Sequence, residues 1–217
     1  MTTYLTHGYY THQPYLKEVI ENTTGNILEC GCGDGSTLFI KECIKNTKRQ
    51  LISIESNLEW LNKYINLTDE NHKLYHVNAN NIDCDETGKK WVSFINDNLA
   101  DYEFDIIFID SSPWLSRKYV FEYFKNKAKF IIIHDFDYFP ANNIIGTINK
   151  IMKYDNKVIY DVDLTNEVNN YKLYYPPLKY FIGATGPPTL ICSNIISTEN
   201  FNEIINTIDN NIDKYYK

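Results

Sequence analysis

The stretch ILECGCGDGST, residues 27–37, decides which fold this chain can adopt. An apolar run typical of a buried strand leads directly into three glycines at alternate positions, Gly31, Gly33 and Gly35. Glycine allows a sharp turn and lets a ligand lie against bare backbone. Residues 36–45 then carry helical spacing, so the stretch predicts a strand, a ligand-binding turn and a helix.

The same alternation of apolar runs and helical segments continues along the chain, which is typical of βαβ units and a parallel sheet. The strand candidates are residues 26–30, 51–55, 73–77, 105–110, 130–134, 158–164 and 189–195. The helical candidates are residues 36–45, 58–65, 89–99, 115–125, 142–152 and 198–215. The pattern therefore predicts an α/β fold.

Length and composition exclude several classes of protein. A chain of 217 residues is long enough for one domain with a full core, so we expect residues 1–217 to fold as one unit, with residues 1–25 as an N-terminal cap segment. The net charge of −7 disfavours nucleic-acid binding, which needs a cationic face. We expect a cytoplasmic protein without membrane contact, because the sequence shows neither a signal peptide nor a long apolar span.

The spacing of the glycines separates two classes of cofactor. Glu55 stands at the end of the second predicted strand, where a carboxylate can accept hydrogen bonds from both hydroxyls of a ribose. A dinucleotide loop has the spacing G-x-G-x-x-G and directs a helix N-terminus at a pyrophosphate. Here the spacing is G-x-G-x-G, and Glu29 precedes it, so a cationic amino group or sulfonium is favoured over an anion.

With Glu29 followed by its three glycines, the sequence resembles motif I of the class I S-adenosylmethionine-dependent methyltransferases. The resemblance implies S-adenosylmethionine as cofactor, with Glu55 on the ribose and Asn78 near the adenine. It implies that Asp110, at the end of the fourth strand, faces the transferred methyl group. It also implies a doubly wound, mostly parallel seven-stranded sheet with helices on both faces and a terminal antiparallel hairpin formed by the last two predicted strands.

Three polar residues stand at the ends of the fourth and fifth predicted strands, where open α/β sheets place ligands: Asp110, His134 and Asp135. The arrangement resembles small-molecule O-methyltransferases, which implies that Asp110 and Asp135 bind Mg²⁺. Phe136 occupies the position of the third ligand, so Asp137 or His134 would have to replace it. The alternatives are a metal-free site with His134 as general base, or a His134 that only completes hydrogen bonds at a strand end.

Two further segments are candidates for contacts with the substrate. Residues 165–188 form a proline-stiffened candidate acceptor loop that is rich in aromatic residues, and the alternative is a self-packed cap over the sheet edge. Its aromatic residues are Tyr171, Tyr174, Tyr175, Tyr180 and Phe181. Near the N-terminus, His7, Tyr9, Tyr10 and His12 could fold over the methionine end of the cofactor.

Together these features predict methyl transfer to a hydroxyl of a small molecule, such as a sugar or a natural-product intermediate. The alternatives are a non-catalytic nucleotide-binding module, an NAD(P)-dependent oxidoreductase, and a methyltransferase that acts on protein or nucleic acid. The apolar stripe of the final predicted helix could pair two chains in a homodimer as readily as it could cover the sheet.

Overall fold

A computed structural model describes residues 10–136, 147–154, 157–163, 166–174 and 187–215 of the chain. The strands are β1 (Asn26–Cys30), β2 (Leu51–Glu55), β3 (His72–His76), β4 (Phe104–Ile109), β5 (Phe130–Ile133), β6 (Thr147–Tyr154), β7 (Lys157–Asp163), β8 (Asn170–Tyr174) and β9 (Thr189–Ser193). The helices are α1 (Gln13–Glu21), α2 (Thr37–Ile44), α3 (Leu58–Asn62), α4 (Asp85–Leu99), α5 (Trp114–Phe124) and α6 (Thr198–Tyr215).

A seven-stranded sheet with the order β3-β2-β1-β4-β5-β9-β8 forms the centre of the fold. Strands β1 to β5 are parallel, whereas β9 is antiparallel to β5 and β8 is antiparallel to β9. The prediction of a mostly parallel seven-stranded sheet with a terminal antiparallel hairpin is confirmed. Each of the first five strands lies within one residue of its predicted bounds.

Helices cover both faces of the sheet, because successive side chains of each strand point to opposite sides. Leu28 packs on one face in a core that includes Trp91 of α4 and Phe121 of α5. Its neighbour Ile27 packs on the other face in a core that includes Leu16 of α1. Burial of each such side chain contributes about 1.5–3 kcal/mol. The two cores therefore hold the helices against the two faces of the sheet.

The predicted helix at residues 142–152 is wrong in its described part. Residues 142–146 lie outside the described residues, and Thr147–Tyr154 is strand β6, which pairs with β7 in a separate two-stranded antiparallel sheet. The apolar residues Ile148, Ile151 and Met152 fit helical spacing, but short segments of this kind are ambiguous. Pairing with β7 decides the conformation.

The terminal hairpin was predicted with the wrong first strand. The partner of β9 is β8 (Asn170–Tyr174), which lies inside the segment predicted as an acceptor loop, whereas β7 belongs to the separate sheet. Tyr174 is buried, its ring stacks on Tyr15 with 4.4 Å between centroids, and its hydroxyl donates to Asp209 at 2.9 Å. It therefore belongs to the core and not to a lid.

Tyr171 packs from β8 against the core on the other face of the sheet. Three of the predicted loop aromatics, Tyr175, Tyr180 and Phe181, lie outside the described residues. The acceptor role of their segment stays a prediction.

The N-terminal cap segment contains helix α1, which the sequence analysis did not predict. Leu16, Val19 and Ile20 of α1 are buried at helical spacing. Helix α6, predicted at its observed bounds, packs against α1, and its apolar stripe is buried within the chain. The apolar stripe of α6 was predicted either to cover the sheet or to pair two chains. The structure shows that it covers the core of its own chain. The homodimer remains a prediction.

No helix within the described part of the chain combines the length and the apolar character needed to cross a bilayer.

Gly31 generates a prediction about stability, because its backbone has φ +93° and a Cβ there would lie 2.5 Å from the carbonyl oxygen of Asp110. We expect Gly31→Ala to lower the free energy of unfolding by about 2–4 kcal/mol, measured by urea denaturation. The matched control is Gly33→Ala, whose Cβ would lie 3.2 Å from the Ser36 Oγ and 4.0 Å from the Gly35 amide nitrogen, without a backbone clash. Equal losses in the two variants would contradict this account.

Candidate functional site

A cleft of about 420 Å³ opens where β1, β4 and β5 end. The residues that line it come from the N-terminal segment, the glycine turn, α3 and the two loops that follow β4 and β5. They are Tyr10, His12, Cys32, Gly33, Asp34, Gly35, Ser36, Trp60, Asp110, His134 and Asp135. The cleft therefore lies at the carboxyl edge of the parallel strands, where open α/β sheets bind ligands.

The glycine turn forms one wall of the cleft. The Gly31 amide donates to Ile54 at 2.9 Å, and the Asp110 amide donates to Cys30 at 2.8 Å, so β1 is fixed between its two neighbours as the turn begins. The amides of Ser36 and Thr37 both donate to the carbonyl of Gly33, which starts α2 directly after the turn. The predicted sequence of strand, glycine turn and helix is observed.

Glu29 lies beneath the glycine turn and does not line the cleft. Its carboxylate is fully buried and accepts hydrogen bonds from Thr37 Oγ1 at 3.0 Å and Ser53 Oγ at 2.6 Å. Burial raises the pKa of Glu29 to about 7 in spite of these hydrogen bonds. The structure thus places Glu29 where it braces the turn from below.

A buried chain of hydrogen bonds continues from Glu29 through Ser53 to His72. Ser53 Oγ lies 3.0 Å from His72 Nε2, and His72 Nδ1 lies 3.1 Å from the carbonyl of Leu67, which can only accept. If Ser53 donates to Glu29, His72 Nε2 must carry a proton; if it donates to His72, Glu29 must carry one. Either way, Glu29 and His72 share one proton. Burial raises the pKa of Glu29 and lowers that of His72, so the proton favours Glu29. In that protonated form Glu29 donates to Ser53 Oγ, whereas in the ionised form it accepts from Ser53.

Glu55 also lies behind the glycine turn. Its Oε2 accepts from the Cys32 amide at 3.0 Å and its Oε1 accepts from the Asn57 amide at 2.7 Å, and burial raises its pKa. The carboxylate therefore ties the turn to the end of β2, and its predicted contact with a ribose stays a prediction. Asn78 is exposed and is not one of the residues that line the cleft.

Arg117, from the first turn of α5, organises the polar end of the cleft. Its guanidinium is buried; Nε donates to the Ser111 carbonyl at 2.8 Å, Nη1 to the His134 carbonyl at 2.5 Å and Nη2 to Asp110 Oδ1 at 2.9 Å. Arg117 Nη2 also lies 3.8 Å from Asp135 Oδ2. One side chain thus connects the loops that follow β4 and β5.

His134 is a hydrogen-bond donor on both ring nitrogens. Thr11 Oγ1 gives its proton to the Pro187 carbonyl, so at 3.2 Å it must accept from His134 Nε2. His134 Nδ1 lies 3.2 Å from Asp110 Oδ2. Burial lowers the pKa of His134, but the charge of Asp110, its hydrogen bond to the ring and the charge of Asp135 together outweigh burial, so the pKa is raised. A buried imidazolium without a free lone pair does not suit the general-base role predicted for His134.

The pKa values of the two acids of the cluster are shifted in opposite directions. Burial would raise the pKa of Asp110, but the charges of His134 and Arg117 lower it to about 2. Burial, with the neighbouring charge of Asp110, raises the pKa of Asp135. Asp110 is therefore a fixed anion, whereas Asp135 is the group of the cluster with the stronger tendency to take up a proton.

The cluster does not fit the Mg²⁺ site implied by the resemblance. Ligand atoms of Asp110, His134 and Asp135 do lie within 4.8 Å of one another. However, Asp110 already faces the Arg117 guanidinium at 2.9 Å and the protonated His134 at 3.2 Å. Two positive groups already balance the two carboxylates, and an imidazolium has no lone pair for a metal. Asp137 lies outside the described residues.

His12 contributes a free acceptor at the edge of the cleft. Its Nε2 lies 3.2 Å from the carbonyl of Gly35, which can only accept, so Nε2 carries the proton. Burial, reinforced by the charge of His134, lowers the pKa of His12 to about 3, so the ring is neutral at pH 7. Its buried Nδ1 has no hydrogen-bond partner within the described structure. His7 and Tyr9 lie outside the described residues.

Sequence reasoning missed two residues of the site. Arg117 gave no motif signal, although it is one of only two arginines in the chain, which could have drawn attention to it. Trp60 was treated as part of a helix, yet its indole donates to the carbonyl of Cys32 and its ring lines the cleft. Its position five residues after Glu55 was the available signal.

The shared proton beneath the turn predicts how stability depends on pH. Between pH 4.5 and about 7, folded Glu29 retains a proton that the unfolded chain has lost, so the contribution of Glu29 to the free energy of unfolding falls as pH rises. The lowered pKa of His72 acts in the opposite direction, so the comparison with Glu29→Gln isolates the contribution of Glu29. We expect wild type to lose about 2–3 kcal/mol relative to Glu29→Gln across this window, measured by urea unfolding. The exposed Glu59→Gln serves as control. Parallel pH profiles for wild type and Glu29→Gln would contradict the raised pKa.

A comparison of the sequence with models of known families finds no match, and a comparison with curated proteins finds none. Solved structures do match. Spermidine synthase from Thermotoga maritima matches over 90% of this chain, with a TM-score of 0.52 and 15% identity. A spermidine synthase in complex with the transition state analogue AdoDATO matches over 90%, with a TM-score of 0.51 and 15% identity.

This chain spans 63% and 62% of the lengths of those two structures. Human methyltransferase-like protein 13 in complex with SAH matches over 96% of this chain and 93% of its own length, with a TM-score of 0.49 and 11% identity. At such identities a likeness concerns the fold alone. The chain has the class I methyltransferase fold.

Proposed function

We propose that this chain binds S-adenosylmethionine in the cleft and transfers its methyl group to a hydroxyl of a small molecule. The proposal rests on one observation: two glycines of the turn and three carboxylates line the same cleft. They are Gly33, Gly35, Asp34, Asp110 and Asp135. The exposed carboxylate of Asp34 favours a ligand that carries positive charge, as the sulfonium and amino groups of this cofactor do.

The size and chemistry of the cleft support this choice of cofactor. Its volume of about 420 Å³ lies within the range of small-molecule sites. The free Nδ1 of His12 can accept a hydrogen bond from an ammonium or hydroxyl group. Asp34 projects from the glycine turn itself, so a pyrophosphate placed there would be repelled, which argues against the dinucleotide alternative.

The residues of the cleft also support the transfer step. When bound, the cofactor supplies an electrophilic methyl group on a positively charged sulfur. The acceptor oxygen would bond to that methyl as the methyl–sulfur bond breaks, and the demethylated product would leave as a neutral thioether. The acceptor hydroxyl would lose its proton in this step, and Asp135, with its raised pKa, is the group we assign to take it. Asp110 stays ionised and is paired with Arg117 and His134, so it holds these side chains in place at this end of the cleft. Alignment of the reactants provides much of the rate enhancement in such displacements.

Transfer to an amine is a second candidate. Spermidine synthase, named for a polyamine product, is one of the matching structures, and the exposed carboxylate of Asp34 would favour a cationic acceptor as well as a cationic cofactor. An amine and a hydroxyl acceptor give different products, which an assay with both classes of acceptor distinguishes.

Ligand binding is tested by thermal unfolding. S-adenosylmethionine and its demethylated product, each at 100 times its Kd, should raise Tm by about 5–10 °C, and NAD should not. Gly33→Val should remove the shift, because a side chain there enters the wall of the cleft. Ala100→Val, at the exposed end of α4, is the matched control. Stabilisation by NAD alone would overturn the proposed cofactor.

Turnover is tested with methyl-labelled S-adenosylmethionine and panels of hydroxylated and amine acceptors. With an accepted alcohol, Asp135→Asn should lower kcat by about 10²–10⁴-fold and leave the Tm shift with the demethylated product intact. The wild-type rate should rise with pH through the raised pKa of Asp135. Asp101→Asn, on an exposed site after α4, should match wild type. An unchanged rate in Asp135→Asn would exclude it as the base, and label on amines alone would favour the second candidate.

A further inference from the structure

Arg117 is the residue of the site that neither the glycine motif nor the strand-end acids predict. It lies in the first turn of α5, and its side chain is 3% exposed although it is charged. The ring of Trp114 covers it, with 4.4 Å between the guanidinium carbon and the ring centroid. Burying a cation is costly unless anions and acceptors satisfy it, so its partners define what it does.

Those partners are the two backbone segments and the two acids that form the polar end of the cleft. The carbonyl oxygens of Ser111 and His134 belong to the loops after β4 and β5 and accept from Nε and Nη1. Nη2 faces Asp110 Oδ1 at 2.9 Å and Asp135 Oδ2 at 3.8 Å. A planar guanidinium can hold such a fixed set of directions, which an ammonium cannot.

The cluster holds a permanent positive charge between its two acids. The guanidinium of Arg117 stays charged in proteins and lies within 4 Å of a carboxylate oxygen of both Asp110 and Asp135. The side chains of both acids are about one-fifth exposed, so solvent screens them only in part. A divalent cation bound between the acids would lie close to the guanidinium and would be repelled by it.

We propose that the Arg117 guanidinium occupies the electrostatic role that a divalent cation would otherwise have between Asp110 and Asp135. In this arrangement Arg117 is a positioning residue, because it holds both acids and both loops while leaving the carboxylates at the surface of the cleft. The site consequently needs no metal ion, and removal of the guanidinium should convert the acids into a metal site.

The inference concerns the same cleft as the proposed function and accounts for how its acids are held there. Its test needs neither cofactor nor acceptor, because it measures metal binding directly. If the methyl-transfer proposal is wrong, the inference about Arg117 is unaffected. If the inference about Arg117 is wrong, the cofactor prediction is unaffected.

The experiment measures Mn²⁺ binding by electron paramagnetic resonance, in which the signal of free aqueous Mn²⁺ decreases on binding. Wild type should leave the signal unchanged up to about 1 mM Mn²⁺. Arg117→Met removes the charge at similar length and should bind Mn²⁺ at least tenfold more tightly than wild type. The double variant Arg117→Met/Asp110→Asn should lose that gain, because it lacks one of the two acids.

Lys118→Met is the matched control, since it removes one positive charge from the neighbouring position of α5 and should not create Mn²⁺ binding. Arg117→Gln covers the case in which Arg117→Met does not fold, because an amide can still donate to a loop carbonyl without carrying charge. Circular dichroism confirms folding before each titration.

Two results would overturn the inference. One is wild-type Mn²⁺ binding with a submillimolar Kd that Asp110→Asn abolishes, since the acids would then hold a metal in the presence of Arg117. The other is a folded Arg117→Met or Arg117→Gln that binds Mn²⁺ no better than wild type. Tight binding in the charge-removed variants, lost in the double variant and absent from Lys118→Met, supports it.

Discussion

The close approach of two backbones at the end of β1 is the constraint on which the rest of the site depends. Gly31 passes so near the carbonyl of Asp110 that no Cβ fits between them, and its amide is bonded to β2 on the other side. This crossing sends the chain over the sheet edge and into α2. The glycine turn and the Asp110 loop consequently face the same cavity, although they are about eighty residues apart in sequence.

Much of the fold could be predicted from the sequence, because buried parallel strands leave a strong local signal. The runs NILEC and LISIE contain mostly apolar residues and have the length of strands, and they were placed at their observed bounds. Strand β8 was missed because NYKLY is short and precedes two prolines. The apolar spacing of β6 suits a helix equally well, so its pairing with β7 decides its conformation.

The candidate site could be predicted less completely, for a physical reason. Glycines and strand-end acids have positions that the fold determines, so Gly33, Asp110 and Asp135 were found from local pattern. The protonation of His134 depends on Thr11 and Asp110, which only the folded chain brings together. Arg117 likewise acquires its role from partners on other elements. The sequence therefore left the acid–base roles open, because long-range hydrogen bonds decide them.

The contact between α1 and α6 has a consequence for the order in which the cleft is built during synthesis. His12 immediately precedes α1, and Glu18 of α1 accepts hydrogen bonds from Asn211 and Tyr215 of α6, some 193 and 197 positions later. An emerging chain can assemble its parallel strands earlier, but the support of α1 is incomplete until α6 has left the ribosome. The wall of the cleft that contains His12 is thus translated before the other walls, yet its contacts with α6 are among the last to form.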